Sequence, residues 1–171
     1  MSSSARALAA GFTVRPMTPA DAARVGEVHV AVWREAYAGS MPDDYLAGLD
    51  PTTFGSRWAE RLATPRTDLA HLAGLAPDGT VVGIGTAGPS RDPEPPTTLE
   101  LWAINVLAEA HGTGLADLLV EALLGDEPAS LWVLEGNDRA RAFYRRHGFE
   151  DDGATKPFTP TGALERRMVR T

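Results

Sequence analysis

Residues 106–120 have the sequence Val-Leu-Ala-Glu-Ala-His-Gly-Thr-Gly-Leu-Ala-Asp-Leu-Leu-Val, which is the most informative stretch for predicting the fold. An apolar strand is predicted over residues 99–107, and the apolar residues after Gly114 recur at helical spacing. Gly112 and Gly114 therefore lie where the first N–H groups of a helix have no partner within the helix. The helix dipole adds positive potential there, so the loop is suited to bind a phosphate or pyrophosphate.

Other interpretations of the glycines are a simple tight turn and two other nucleotide-binding motifs. A P-loop is excluded, because no G-x-x-x-x-G-K-[ST] pattern occurs in the chain. A formal G-x-G-x-x-G is present at Gly83, Gly85 and Gly88, but it lies in a predicted strand and prolines follow it. We therefore do not interpret it as a dinucleotide fingerprint.

Composition limits the remaining classes. With 171 residues and no cysteine, the chain predicts one domain without disulfides, thiolate metal sites or a cysteine nucleophile. The histidines show no metal-ligand spacing, so no metal is expected. The net charge of −7 argues against nucleic-acid binding and is compatible with a cationic substrate. No apolar run approaches the roughly 20 residues of a membrane span, and we expect a cytoplasmic protein.

The order of predicted elements is β-α-α-β-β-β-α-β-α-β-β, which indicates one α/β domain around a mixed sheet. Thr18-Pro19 and Asp50-Pro51 are typical helix starts, with the cap residue followed by proline at the first helical position. Residues 1–11 lack the apolar core of a signal peptide, and we expect them to form a disordered tail. The domain is then expected to span residues 12–171.

Two local patterns occur in this order. The loop His111–Ala116 fits [Q/R]-x-x-G-x-[G/A], except that histidine takes the first position. The second pattern, N-x-x-A-x-x-F-Y-x-x-x-G-F, is matched in full by Asn137, Ala140, Phe143, Tyr144, Gly148 and Phe149. Together they resemble the GNAT superfamily of acyl-CoA-dependent N-acyltransferases. The resemblance implies a mostly antiparallel sheet flanked by helices, acetyl-CoA as co-substrate, and a frequent homodimer.

The resemblance also implies which residues bind the CoA thioester. Backbone N–H groups of the loop would hold the pyrophosphate, Val106 and Leu107 would lie beside the pantetheine arm, and Asn137 would contact that arm or cap its helix. His111 lacks the charge-assisted contact that arginine makes at this position. The expected loop residues are His111, Gly112, Thr113, Gly114, Leu115 and Ala116.

For catalysis, the absence of a cysteine nucleophile and of a G-x-S-x-G elbow favours direct attack by a primary amine of a small molecule or peptide. Tyr144 is the expected general acid, since its ordinary pKa is near that of an alkyl thiolate. Helical spacing alone would instead make it a core tyrosine. Glu100, six residues before Val106 on the same predicted strand, is the candidate base; the alternative is a solvent-facing edge glutamate.

The acceptor is expected to bind near the turn between the first two predicted helices. Trp33, Tyr37 and Tyr45 surround this turn, which also holds Asp43 and Asp44. Aromatic rings with acidic neighbours would suit a small cationic amine such as a polyamine or an aminoglycoside-like compound, whereas a core tryptophan and a solvated turn are the alternative. Two other functions remain open: a noncatalytic acyl-CoA-binding or sensing domain, and a nucleotide-binding oxidoreductase.

Overall fold

The computed structural model describes all residues from Met1 to Thr171. It contains one seven-stranded sheet of order β1-β2-β3-β4-β5-β7-β6, flanked by six helices. The strands are β1 (Thr13–Pro16), β2 (Ala70–Leu75), β3 (Val81–Pro89), β4 (Leu99–Val106), β5 (Ala129–Leu134), β6 (Glu150–Pro157) and β7 (Leu164–Arg170). The helices are α1 (Ser3–Ala9), α2 (Ala22–Ala36), α3 (Asp43–Ala47), α4 (Pro51–Ala63), α5 (Leu115–Leu124) and α6 (Asp138–Arg146).

The sheet is antiparallel at every pairing but one, which confirms the expected mixed, mostly antiparallel architecture. The exception is the parallel pair β4–β5, where only residues 99–101 pair with residues 129–131. Beyond Leu101 and Leu131 the two strands separate, although β4 continues to Val106. The centre of the sheet therefore contains a gap that is open along most of β4.

Helix α5 covers one face of the sheet, and α2 and α4 cover the other. Leu115, Leu119 and Leu123 of α5 lie directly over Gly83 and Gly85 of β3, where a Cβ at Gly85 would lie 2.7 Å from Leu123 Cδ1. These glycines thus allow close helix–sheet packing. The formal G-x-G-x-x-G motif is therefore a packing feature inside a strand, as its sequence context indicated.

The two predicted helix starts differ in outcome. Asp50 caps α4 as expected, since its carboxylate accepts the N–H groups of Thr52 and Thr53. Thr18 is also the N-cap that was expected, and Asp21 accepts its backbone N–H at 2.8 Å, but the first turn, Pro19–Asp21, is a 3₁₀ helix that precedes α2 at Ala22. Asp21 is held there by two hydrogen bonds from Arg15, of 2.7 and 2.8 Å. The carboxylate thus ties the start of α2 to β1.

The expectation of a disordered tail at residues 1–11 is wrong for most of that segment. Residues 3–9 form α1, which Ser2 caps by accepting the N–H of Ala5. Ala7 is fully buried, and Ser3 lies so close to Gly114 that a Cβ at this glycine would overlap the Ser3 carbonyl oxygen. Small side chains on α1 and a bare glycine on the loop allow this approach. No helix of the protein is both long and apolar enough to cross a membrane.

Candidate active site

A cavity of about 910 Å³ follows the gap between β4 and β5. It is lined by residues of both motifs that the sequence singled out, although about 20 residues separate the two motifs along the chain. Leu107, Thr113 and Leu115, also expected here, do not line it. Of the residues expected to bind the CoA thioester or to donate a proton, those that line the cavity are Val106, His111, Gly112, Gly114, Ala116, Asn137 and Tyr144.

The backbone at the end of β4 explains why Val106 and Leu107 differ. The N–H of Leu107 donates to the carbonyl oxygen of Val82 at 2.9 Å, so it faces β3. Because successive residues of a strand present their hydrogen-bonding groups to opposite sides, the N–H of Val106 faces the gap. The expected backbone contact to a ligand arm can thus come from Val106, whereas the Leu107 donor is used within the sheet.

The loop before α5 presents a cluster of free donors. Gly112 and Gly114 adopt left-handed φ angles of +74° and +93°. The N–H groups of Gly112, Gly114, Ala116 and Asp117 have no acceptor within the protein. Four unpaired donors at the positive end of a helix form a site that can bind pyrophosphate oxygens.

Thr113 and Leu115 shape this loop from outside the cavity. The Thr113 hydroxyl donates to the carbonyl of Ala110 at 2.7 Å and accepts the N–H of Leu115 at 3.3 Å. The Leu115 side chain is fully buried between α5 and the sheet. Both residues therefore fix the conformation of the loop, and their side chains lie away from the cavity.

His111 is held by two contacts that define its tautomer. Its Nε2 lies 2.9 Å from the Val106 carbonyl oxygen, which can only accept, so Nε2 carries the proton. Its Nδ1 accepts from Arg139 at 2.9 Å. Arg139 lines the cavity beside the loop, as do Arg6 of α1 and Arg146 of α6. Arg139 also lies 3.7 Å from the Glu35 carboxylate, so an arginine that is paired with a glutamate stands next to His111.

Tyr144 and Tyr37 both line the cavity. Burial raises the pKa of Tyr144 well above its usual range, and the neighbouring Tyr37 adds to the rise. The Tyr144 hydroxyl has no hydrogen-bond partner within the protein, so its proton can be donated into the cavity. Burial also raises the pKa of Tyr37 to about 12, an effect that Glu165 increases and Asn137 partly offsets.

Asn137 takes the helix-capping role that the sequence left open. Its Oδ1 accepts the N–H of Ala140 at 3.0 Å, which caps α6. The residue also lines the cavity, so its amide Nδ2 can still donate to a ligand. The two alternatives for Asn137 are thus compatible.

Glu100 does not lie where the sequence placed it. A bulge in β4, between its pairings with Thr86 and Ala87, changes the alternation of side chains and separates the face of Glu100 from that of Val106. Glu100 is 0% exposed and does not line the cavity. Its two carboxylate oxygens accept from Arg91, including the backbone N–H at 2.8 Å. The expectation of a shared face is wrong, and Glu100 is an internal partner of Arg91.

Two carboxylates line the cavity, Asp117 and Glu165 of β7. Asp117 lies 3.0 Å from His147 Nε2, whereas Glu165 has no ion-pair partner, and sequence reasoning missed it. Burial raises its pKa; Lys156 and Arg91 oppose the rise, and Glu100 adds to it. No motif marks this residue, since it stands in a strand with charges on both faces. Only the pairing of β7 with β5, which places Glu165 opposite Leu134, brings it to the gap.

The predicted acceptor residues are partly brought together. Trp33 and Tyr37 line the cavity, with ring centroids 5.1 Å apart. Tyr45 does not line it and instead packs against an apolar cluster that includes Leu46 and Leu134. Asp43 and Asp44 are exposed and do not line the cavity. Asp43 and Asp44 therefore do not supply the acidic surroundings that were expected for a cationic acceptor; the carboxylate near Tyr37 is Glu165.

Comparison with known proteins places this geometry in a family. Residues 30–149 match the family model for the acetyltransferase (GNAT) family. A Mycobacterium tuberculosis protein named as a probable N-acetyltransferase is 27% identical over 156 residues, covering 88% of this chain and 87% of the relative. YuaI, an uncharacterised N-acetyltransferase of Bacillus subtilis, is 33% identical over 135 residues, covering 73% of each chain.

Solved structures share the fold over nearly the whole chain. The PaiA N-acetyltransferase of Thermoplasma acidophilum, determined in complex with coenzyme A, superposes with a TM-score of 0.72. Its sequence is 17% identical, and the alignment covers 94% of this chain and 98% of that one. The separated strands β4 and β5 and the glycine loop before α5 all lie within the residues that match the family model, 30–149. The chain belongs to the GNAT family of acetyltransferases.

Proposed function

We propose that this protein transfers an acetyl group from acetyl-CoA to the primary amine of a small molecule by direct attack of the amine. One observation carries the proposal: a single cavity joins the free N–H groups of the glycine loop to the Tyr144 hydroxyl through the gap between β4 and β5. An anion site and a proton donor in one channel fit a thioester with a long phosphate-bearing tail.

The residues present fit acetyl-CoA, which would supply an activated thioester carbonyl and a thiol leaving group. The N–H groups of Gly112, Gly114 and Ala116 bind the pyrophosphate, and Arg139 adds a charge-assisted contact. The Val106 N–H, which faces the gap, polarises the thioester carbonyl in the manner of an oxyanion hole. The Val106 carbonyl, held by His111, fixes the orientation of this peptide.

Two residues handle the protons. As the amine nitrogen bonds to the carbonyl carbon and the carbon–sulfur bond breaks, Glu165 accepts the proton lost by nitrogen. Tyr144 donates a proton to the departing sulfur. The raised pKa of Glu165 makes it a stronger base than an ordinary glutamate, and the raised pKa of Tyr144 keeps its phenol protonated before the step.

The test combines binding and turnover. Isothermal titration measures the affinity for acetyl-CoA, and a thiol-release assay with a panel of amines measures transfer. We expect acetyl-CoA to bind and thiol release to depend on an amine. Binding without release on any amine would instead favour a noncatalytic acyl-CoA sensor, and affinity for NAD(P) in place of CoA would favour an oxidoreductase.

The proposal also covers the location and the oligomeric state of the protein. We place it in the cytoplasm as a homodimer, by analogy with the family, and without nucleic-acid partners because its net charge is −7. Light scattering during size exclusion measures the mass of the assembly, against 18.2 kDa for one chain. A monomer at micromolar concentration would contradict the dimer.

A further inference from the structure

Lys156 is the only lysine in the chain, and it lines the active-site cavity. It lies on β6, half-buried, with its Nζ 4.0 Å from the centroid of the Trp132 ring. It makes no hydrogen bond or ion pair with any protein group. A half-buried ammonium held only by an aromatic face can still bind an anion.

Glu165 stands directly opposite Lys156 in the β6–β7 pairing, and it also lines the cavity. The two charges do not form an ion pair, because Lys156 is turned toward Trp132. The other nearby charges are engaged elsewhere: Arg91 with Glu100, and Asp92 with Trp132 and Arg167. The cavity thus presents one free cation and one free carboxylate side by side.

Aromatic rings form the walls around this pair of charges. Trp102 and Trp132 follow the last paired residues of β4 and β5, so they flank the point where the strands separate. Trp33 and Phe158 lie against each other, with ring centroids 5.6 Å apart, and line the same cavity. Such walls favour an apolar or aromatic group on the acceptor.

We infer that the acceptor is an amino acid with an apolar or aromatic side chain. Its amine faces Glu165, its carboxylate is held by Lys156, and its side chain lies against the tryptophans. The inference rests on the proposed acetyl transfer and names its substrate class. A polyamine does not fit, because Lys156 would repel its additional positive charges.

The experiment compares amino acids with amines that lack only the carboxylate. The pairs are L-leucine and 3-methylbutylamine, L-phenylalanine and phenethylamine, and L-tryptophan and tryptamine, with spermidine as the polycation. Thiol release gives kcat/KM for each compound. Isothermal titration of each compound into the CoA-bound protein gives affinity independently of turnover. The variants are Lys156→Met, Lys156→Arg and Arg66→Met, the last removing an exposed charge outside the cavity.

We expect at least one amino acid to exceed its matched amine by about 10–100-fold, the worth of one charge-assisted contact. Lys156→Met should remove this preference, while Lys156→Arg and Arg66→Met retain it. Equal or better use of the matched amines or spermidine would overturn the inference and leave the acetyl transfer standing. If no compound supports thiol release, the proposed function fails. The titrations then test the inference alone: it is overturned if amino acids and their matched amines bind with equal affinity, or if Lys156→Met does not change the affinity for amino acids.

Discussion

Replacing Gly114 with alanine should cost more stability than the same change at Gly112, although both glycines have left-handed φ angles. Each variant places a Cβ in a conformation that is unfavourable for an L-residue by about 1–2 kcal/mol. At Gly112 no atom lies within 4 Å of the new methyl group. At Gly114 the methyl group would overlap the Ser3 carbonyl oxygen of α1 and lie 3.3 Å from Ala7 Cβ.

The overlap involves backbone, so α1 must shift or leave the loop. Overpacking a well-packed contact costs about 1–3 kcal/mol. The cost cannot exceed the free energy with which α1 docks, because undocking is always an alternative. Ala7 and Ser4 are the buried residues of this short helix, so its docking energy is small. We therefore expect Gly114→Ala to lose about 1–3 kcal/mol more than Gly112→Ala.

Urea unfolding gives the free energy of unfolding for both variants, and hydrogen exchange reports on residues 3–9 directly. Gly114→Ala should lose exchange protection in α1, whereas Gly112→Ala should keep it. Equal losses of stability, or unchanged protection of α1 in Gly114→Ala, would refute the docking of α1 on the loop.

Three further outcomes are expected. Tyr144→Phe should lower kcat by about 10²-fold and leave the dissociation constant for acetyl-CoA unchanged, because it removes only the proton donation to sulfur. An unchanged kcat at every pH would contradict the role of Tyr144 as general acid. Since Glu165 must be ionised to act, wild-type kcat/KM should fall on the acid side with a midpoint above the ordinary glutamate pKa of about 4.3. Glu165→Gln should lower kcat/KM by about 10²-fold and abolish that acid limb, and a retained limb would assign it to another group. Hydrogen bonds from Arg15 hold the pKa of Asp21 well below its usual range. The ionised carboxylate therefore stabilises the fold fully at pH values above its pKa in the unfolded chain, about 3.9, and this contribution is lost as the pH falls further. Asp21→Asn should therefore lower the unfolding free energy by about 2 kcal/mol at pH 7, and by progressively less below pH 4 in urea titrations.

The fold was largely predictable because its signals are local. Proline after a capping residue marks the start of α4, and the glycine loop marks the start of α5. Apolar runs bounded by turn residues predicted β1 to β5, and the segments after Gly148 predicted β6 and β7, all to within a few residues. Helix α1 was not predicted, since its stability depends on packing against Gly114, a contact that spans more than 100 residues of chain.

Site residues that belong to a sequence motif were predictable, whereas those whose position depends on strand pairing in the sheet were not. Tyr144 and the glycine loop belong to motifs, and the structure brings both to one cavity. Glu100 was misplaced because a single bulge in β4 alters side-chain alternation, and nothing in the local sequence signals the bulge. Glu165 could not be found, because its position depends on β7 inserting between β5 and β6.

Net charge and the charge of the cavity point to different acceptors. The chain carries a charge of −7, which is compatible with a cationic acceptor, yet five cationic side chains line the cavity against two carboxylates. A cleft focuses the potential of the charges that line it, so the local charge governs what enters. In the proposed reaction the cations of this cavity bind the CoA phosphates and the acceptor carboxylate, and both affinities should therefore weaken as ionic strength rises. The five cations are Arg6, Arg91, Arg139, Arg146 and Lys156, and the two carboxylates are Asp117 and Glu165.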